Sequence, residues 1–228
     1  LPSGTVSAAG FTPLDTGRIG EQVAASRYAD RGAAHPRDGD TRPEPGKAGA
    51  YSWLKAPRYS GEAHEVGPLA RLSVAAAAGE EPVRQILGRV LAEAKLDAGA
   101  LDSAIGRHAA RAAESVLLAE RMETWLDRLR VGEPSVAAYA AAAAGRGEGL
   151  TEAPRGALGH WVEIREHRIA RYQCVVPSTW NFSPRGDKGD PGPVEAALVG
   201  LTVSPAHRGL EVARVVRSFD PCIACAVH

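Results

Sequence analysis

Residues 219–228 read Phe-Asp-Pro-Cys-Ile-Ala-Cys-Ala-Val-His (FDPCIACAVH), and this stretch decides how the rest of the chain is read. If the turn after Pro221 is helical, Cys222, Cys225 and His228 step by three residues and project from neighbouring points on one face. Two thiols and an imidazole can then meet a metal ion. Thiolates suit soft or borderline ions such as nickel, iron and zinc, while a nearby imidazole or carboxylate also admits a harder ion beside them. A single Cys-x-x-Cys serves equally as a redox dithiol or as half of a zinc site. A structural zinc takes about four protein ligands, and there is no second Cys-x-x-Cys in the sequence. A thioredoxin-like dithiol opens a helix inside a βαβ unit, whereas this pair lies within the last seven residues. Spacing alone leaves all three readings open.

Working outward, the composition narrows the partners. The chain has 228 residues, 44% of them hydrophobic, enough to bury a core as one compact unit. Lys plus Arg equals Asp plus Glu at 27 each, so no broad field draws it to nucleic acid or anionic lipid. Three cysteines, two of them at one end, are not a secreted disulfide framework. No apolar run approaches the roughly 20 residues that span a bilayer, and LPSGTVSAAG at residues 1–10 lacks the basic-then-apolar layout of a signal peptide. The first residue is Leu1 instead of Met, which reads as a processed chain or a fragment.

Residues 1–50, rich in Gly, Pro, Asp and Arg, read as loop with room for one short helix. From Tyr51, YSWLKAPRYSGEAHEVGPLARL gives way to an Ala-rich helix over Gly67–Ala78, and Pro82 opens a second helix through Leu96. The strongest periodicity follows. Leu101, Ile105, His108, Ala112, Val116, Ala119, Met122, Leu126 and Leu129 recur at steps of three or four and define one stripe of a long scaffold helix. Gly132 and Pro134 end it, and His108 on that stripe reads as a core histidine. Segments 157–164 and 168–176 are strand-like around a charged turn at Arg165–His167, which predicts a β-hairpin. Antiparallel pairing then brings Pro154 and Arg155, before the first strand, to the same end as Pro177, Ser178 and Trp180, after the second. Short helices are expected near 194–201 and 210–218. The fold class expected is mainly α with a small antiparallel β element.

The ending DPCIACAVH resembles that of the nickel-iron hydrogenase large subunit, Asp-Pro-Cys-x-x-Cys-x-x-His. YSWLKAPRY, EVGPLARL, LTEAPRGALGHW and YQCVVPSTWNFSPRGD join it in the family's order, covering residues 51–228. The resemblance implies a partial large-subunit fold, in which residues 51–228 are the carboxy-terminal part of the catalytic domain and residues 1–50 an irregular segment of the same domain. That family places a second cysteine pair, Arg-x-Cys-x-x-Cys, near its amino end. Residues 1–50 contain no cysteine, so the chain reads as a carboxy-terminal portion with half of the nickel ligands, lacking the amino-terminal half and ending where the family's maturation protease cuts.

Carried over residue by residue, the resemblance makes Cys222 a terminal nickel thiolate and Cys225 the bridge to an iron bearing cyanide and carbon monoxide. His228 and the backbone carbonyl of Cys174 would bind magnesium, the Cys174 thiol being an ordinary buried group. Arg155, with Pro154 beside it, would overhang the centre, Ser178 would donate to an iron-bound cyanide, and Asp220 would pair with Arg155 as a buried charge partner. An alternative for Asp220 is the amino-terminal cap of the CIACAVH turn. The reaction implied is reversible heterolytic cleavage of dihydrogen in respiratory uptake. Cys222 is the favoured proton acceptor, because a guanidinium stays charged whereas a metal-bound thiolate remains deprotonated yet basic.

Only Cys174 remains beyond the pair, and an iron-sulfur cluster takes about four cysteines. The chain is therefore expected to carry no cluster and to need an iron-sulfur small subunit as partner. Trp53, Trp161 and Trp180 are candidates for that interface, with core packing the competing role. His35, His64, His160, His167 and His207 show no ligand spacing. The EVGPLARL and ACAVH wording resembles uptake enzymes at the periplasmic face of a membrane, held there only indirectly, through the partner; a cytoplasmic cofactor-linked enzyme is the alternative. Competing functions are a hydrogen sensor with the same site, a relative of the complex I quinone-site subunit, and a non-catalytic zinc- or disulfide-stabilised terminus.

Overall fold

The computed structural model describes residues 1–30 and 32–227. The chain opens with a hairpin, β1 (Gly4–Ser7) against β2 (Gly10–Pro13), followed by β3 (Ile19–Gln22), whose partner is the distant β4 (Ala56–Tyr59), with Ile19 opposite Tyr59. Residues 1–50 thus hold three strands where the composition predicts loop. Four-residue strands are too short to display alternation, and a pairing partner beyond a long excursion leaves no local signal.

Three helices follow: α1 (Pro68–Ala77), α2 (Glu81–Ala94) and α3 (Ala104–Asp127). Pro68 and Pro82 sit in first turns, where the missing N–H would have had no intrahelical partner anyway. Ser103 caps α3, its Oγ accepting from the Gly106 amide at 3.1 Å. Leu69, Leu72 and Ala75 of α1, Val83, Ile86 and Leu87 of α2, and Ala110, Ala113 and Leu117 of α3 form one core.

The helix at 104–127 is as expected, but its buried face is not the predicted stripe. Gly106, Ala110, Ala113 and Leu117 face the core, whereas Ile105, Met122 and Leu126 are more than half exposed and His108 lies on the surface beside Arg111. Small side chains let α3 approach α1 and α2 closely, and alanine adds little weight to a hydrophobic pattern. The larger residues on the adjacent face therefore dominated the periodicity.

A three-stranded antiparallel sheet comes next, β5 (Gly145–Ala153), β6 (Gly156–Arg165) and β7 (Arg168–Val175), in that spatial order. β6 and β7 are the predicted hairpin, turning through Glu166 and His167, both at positive φ, as a tight two-residue hairpin turn requires. β5 was missed because glycines at 145, 147 and 149 give it little strand propensity. Trp161 and Val175 on the inner face of the sheet meet Ile19, Tyr59 and Trp180 in a second core. Trp161 and Trp180 are therefore core residues, while Trp53 is partly exposed.

The chain then runs through α4 (Pro177–Asn181), α5 (Pro193–Leu198), α6 (Leu210–Ser218) and α7 (Ile223–Ala226). α5 stops earlier than expected because Val199 is extended and Gly200 has φ +78°. No described helix is long and apolar enough to cross a membrane. The reassigned face of α3 has a direct check by urea unfolding. Ala113→Leu overfills the core and should cost about 1–3 kcal/mol, whereas Met122→Ser should stay within about 0.5 kcal/mol of the parent.

Candidate metal centre

The cysteine pair is approached from α3 and α6. Arg107 of α3 grips the Glu65 carboxylate with Nε and Nη2 at 2.8 and 2.7 Å, and its guanidinium lies 3.8 Å from the centroid of the Phe219 ring. Arg111, one turn on, donates from Nη2 to the Ser218 carbonyl at 3.1 Å. The end of α6 is thereby pinned to α3. Asp220 then takes a left-handed conformation, φ +52°, a costly state for a residue other than glycine, and the chain bends into Pro221 and Cys222.

Cys222 N donates to Ser178 Oγ at 3.0 Å, and Ser178 is only 3% exposed at the start of α4. Cys225 N donates back to the Cys222 carbonyl at 3.1 Å, closing the turn. This brings the two sulfurs together: Cys222 and Cys225 are joined as a disulfide, with Cα atoms 5.4 Å apart. Ser178 accepts from Cys222, and its own hydrogen goes to no protein acceptor among the described residues.

Arg155 arrives from the β5–β6 turn, where Ala153 pairs with Gly156 across Pro154 and Arg155. Its Nε donates to the Asp220 carbonyl at 3.0 Å and lies 3.4 Å from Asp220 Oδ2. The expected pairing is present, but the two side chains are 40% and 41% exposed, so the pair is half-buried at most and adds little stability by itself. The capping alternative for Asp220 is not observed: Cys222 is the cap residue of α7, which has no side-chain capping bond.

Two features that the sequence reading passed over hold these loops together. Gly67, at φ +123°, and Gly156, at φ +134°, press backbone on backbone; a Cβ on Gly156 would stand 2.6 Å from Gly67 N. Glycine is required at 156 on both counts. Asn181, 2% exposed, receives the Val66 amide at Oδ1, 3.0 Å, and donates from Nδ2 to the Val66 carbonyl at 2.9 Å. EVGPL, EAPRG and PSTWN thus interlock. Their signal was a buried amide and two glycines inside motifs that were read only for their charged and hydroxyl residues.

The structure therefore gathers Cys222, Cys225, Ser178, Asp220 and Arg155, with Pro154 preceding Arg155 in its turn. Cys174 sits half-buried on β7 opposite His160, just ahead of α4, and His228 lies outside the described residues. Among the described residues no group of three or more His, Cys, Asp and Glu side chains is arranged to hold a metal. The residues fit part of a soft-metal site: two sulfurs at one place that become thiolate donors when their disulfide is reduced, a hydroxyl beside the first of them, and a guanidinium oriented by a carboxylate and a carbonyl.

Comparison with known proteins gives this arrangement its class. The profile of one family, nickel-dependent hydrogenase, matches residues 1–228. The chain is 43% identical over 192 residues to the uptake hydrogenase large subunit of Bradyrhizobium diazoefficiens, covering 80% of this chain and 32% of that protein. It is 41% identical over 202 residues to the periplasmic [NiFeSe] hydrogenase large subunit of Desulfomicrobium baculatum, covering 86% and 39%. Its fold superposes on the as-isolated oxidised Ni-Fe-Se hydrogenase of Desulfovibrio vulgaris Hildenborough with a TM-score of 0.87 at 39% identity, over 99% of this chain and 48% of that one. The chain belongs to the nickel-dependent hydrogenase family. It spans between a third and a half of the length of these relatives.

The anchoring of Cys222 can be tested directly. Ser178→Ala strands the Cys222 amide and should cost about 1–3 kcal/mol, with faster hydrogen exchange at that amide. Ser178→Thr, which keeps the acceptor, should restore protection.

Proposed function

We propose that the chain is the carboxy-terminal part of a hydrogenase catalytic subunit and serves the reversible heterolytic cleavage of dihydrogen, in the direction of uptake. The observation that carries this is the anchoring of Cys222, joined to Cys225, on Ser178, with the Arg155–Asp220 pair two residues ahead of it in the chain. With their disulfide reduced to two thiols, Cys222 and Cys225 would hold a nickel-iron centre as two of its thiolate donors. Two more donors would come from a polypeptide outside this chain. When bound, the centre, with cyanide and carbon monoxide on its iron, supplies the metals that polarise the H–H bond.

Each residue then has a task it is built for. Cys222 Sγ takes the proton, since a coordinated thiolate stays deprotonated yet basic while a guanidinium holds its charge. Arg155 presents a fixed positive charge beside the sulfurs, and Asp220 sets its orientation; such preorganised charge needs no reorganisation at the moment of reaction. The Ser178 hydroxyl, anchored as an acceptor of the Cys222 amide, would have its proton available for an anionic ligand of the centre. The Cys174 carbonyl and His228 are the proposed magnesium contacts. Electrons leave through an iron-sulfur small subunit, which would also set a periplasmic or membrane-associated location; the uptake and periplasmic names of the relatives support this reading.

In the assembled enzyme, Arg155→Lys keeps the charge but loses the planar fork. Turnover should fall by about 10²-fold or more with nickel content unchanged, as for the loss of one oriented electrostatic donor. Loss of nickel in that variant would instead make Arg155 structural. The two sulfurs should also separate by role. Selenocysteine at position 222 keeps a soft anionic donor in place, so nickel should be retained and the pH profile of activity shifted. Cys225→Ser removes the bridge, and purified large subunit should then lack nickel by elemental analysis. Equal nickel loss in both would refute the separation.

A further inference from the structure

Arg155 is held to Asp220 by a half-exposed pair, which cannot on its own fix a long side chain in one place. The turn that carries it must be fixed from behind. Arg71 of α1 lies behind that turn, 11% exposed, and all five of its N–H donors are taken. Nε and Nη2 grip both oxygens of Glu114 on α3 at 2.6 and 2.7 Å. Nη1 donates to Glu152 at 2.6 Å and to the Ala153 carbonyl at 2.9 Å, and Nη2 also donates to the Pro154 carbonyl at 3.0 Å. Those last three acceptors are the three residues immediately before Arg155. Burial keeps the Glu152 carboxyl above the ordinary carboxylate range even as Arg71 pulls it down, although half of its side-chain area is still exposed.

We infer that Arg71 is a positioning residue for Arg155: its guanidinium, braced on α3 through Glu114, clamps the Glu152 carboxylate and the Ala153 and Pro154 carbonyls so that the next residue is held against Asp220, two residues ahead of Cys222. The inference rests on the proposed role of Arg155. A bidentate grip on one carboxylate combined with two carbonyls and a second carboxylate is a task for a planar five-donor fork, and a lysine ammonium has three donors and no such plane. The same helix braces the turn at its start, where Gly67 abuts the Arg155 carbonyl. The clamp thus transmits the packing of α1 on α3 to a side chain that touches neither helix through its own hydrogen bonds.

The test follows the Nε protons of two arginines in the full large subunit by NMR hydrogen exchange. Arg58, 1% exposed and bonded from Nε to Asp190 at 2.9 Å, is the internal control. In Arg71→Lys the Arg155 Nε proton should exchange about 10-fold faster or more while that of Arg58 is unchanged, the signature of local instead of global opening. Glu152→Ala, at a half-exposed position, removes one leg of the clamp and should give a smaller acceleration at Arg155 alone; it decides the matter if Arg71→Lys does not fold. An unchanged Arg155 proton, or parallel acceleration at Arg155 and Arg58, overturns the inference. Unaltered turnover in Arg155→Lys would end the proposed role of Arg155 and leave the clamp standing, so the two failures are distinct.

Discussion

The hydrogen bond from the Cys222 amide to the buried Ser178 hydroxyl is the constraint on which the rest of this site depends. α7 has four residues, far below the length at which a helix holds itself in water, so the Cys-x-x-Cys turn cannot set its own geometry. Its position has to be imposed from outside, and each supporting contact comes from a different part of the chain. Ser178 holds its first amide, Arg155 holds the Asp220 carbonyl before it, and Arg107 and Arg111 hold Phe219 and Ser218 before that. The sulfurs are therefore placed by α3, α4 and the β5–β6 turn acting together, none of which contains a sulfur donor of the pair.

This arrangement explains why rigid small parts recur around the site. Gly67 and Gly156 allow two loops to touch along their backbones, and Asn181 bonds Val66 through both halves of its amide as a strand partner would. Any side chain at Gly156 would separate the loop that carries Arg155 from the loop that opens α1. The Arg155–Asp220 pair is half-exposed, and the positions of its two partners are set mainly by the surrounding backbone.

Much of this could be read from the sequence, but unevenly. The Cys222–Cys225 spacing, the hairpin that joins the Arg155 and Ser178 loops, and the boundaries of α1 to α3 follow from local chemistry: turn residues, prolines in first turns and strand-forming runs. The buried face of α3 did not, because Ala110 and Ala113 pack by being small and leave the hydrophobic signal to Met122 and Leu126 beside them. β3 and β4 were hidden by the distance between partners, and β5 by its glycines. Arg71 and Asn181 lie inside EVGPLARL and YQCVVPSTWNFSPRGD, yet their partners stand on other elements. No spacing rule along one segment reveals five acceptors drawn from α3 and the β5–β6 turn.

Under the proposed function Cys222 and Cys225 are nickel donors and Cys174, the third cysteine of the sequence, is not. Nickel K-edge X-ray absorption on the assembled large subunit addresses it most directly, by counting sulfur neighbours of the metal in the parent, in Cys222→Ser and in Cys174→Ser. The sulfur shell should lose one scatterer in Cys222→Ser and be unchanged in Cys174→Ser. A sulfur shell unchanged by the first substitution, or diminished by the second, would contradict it.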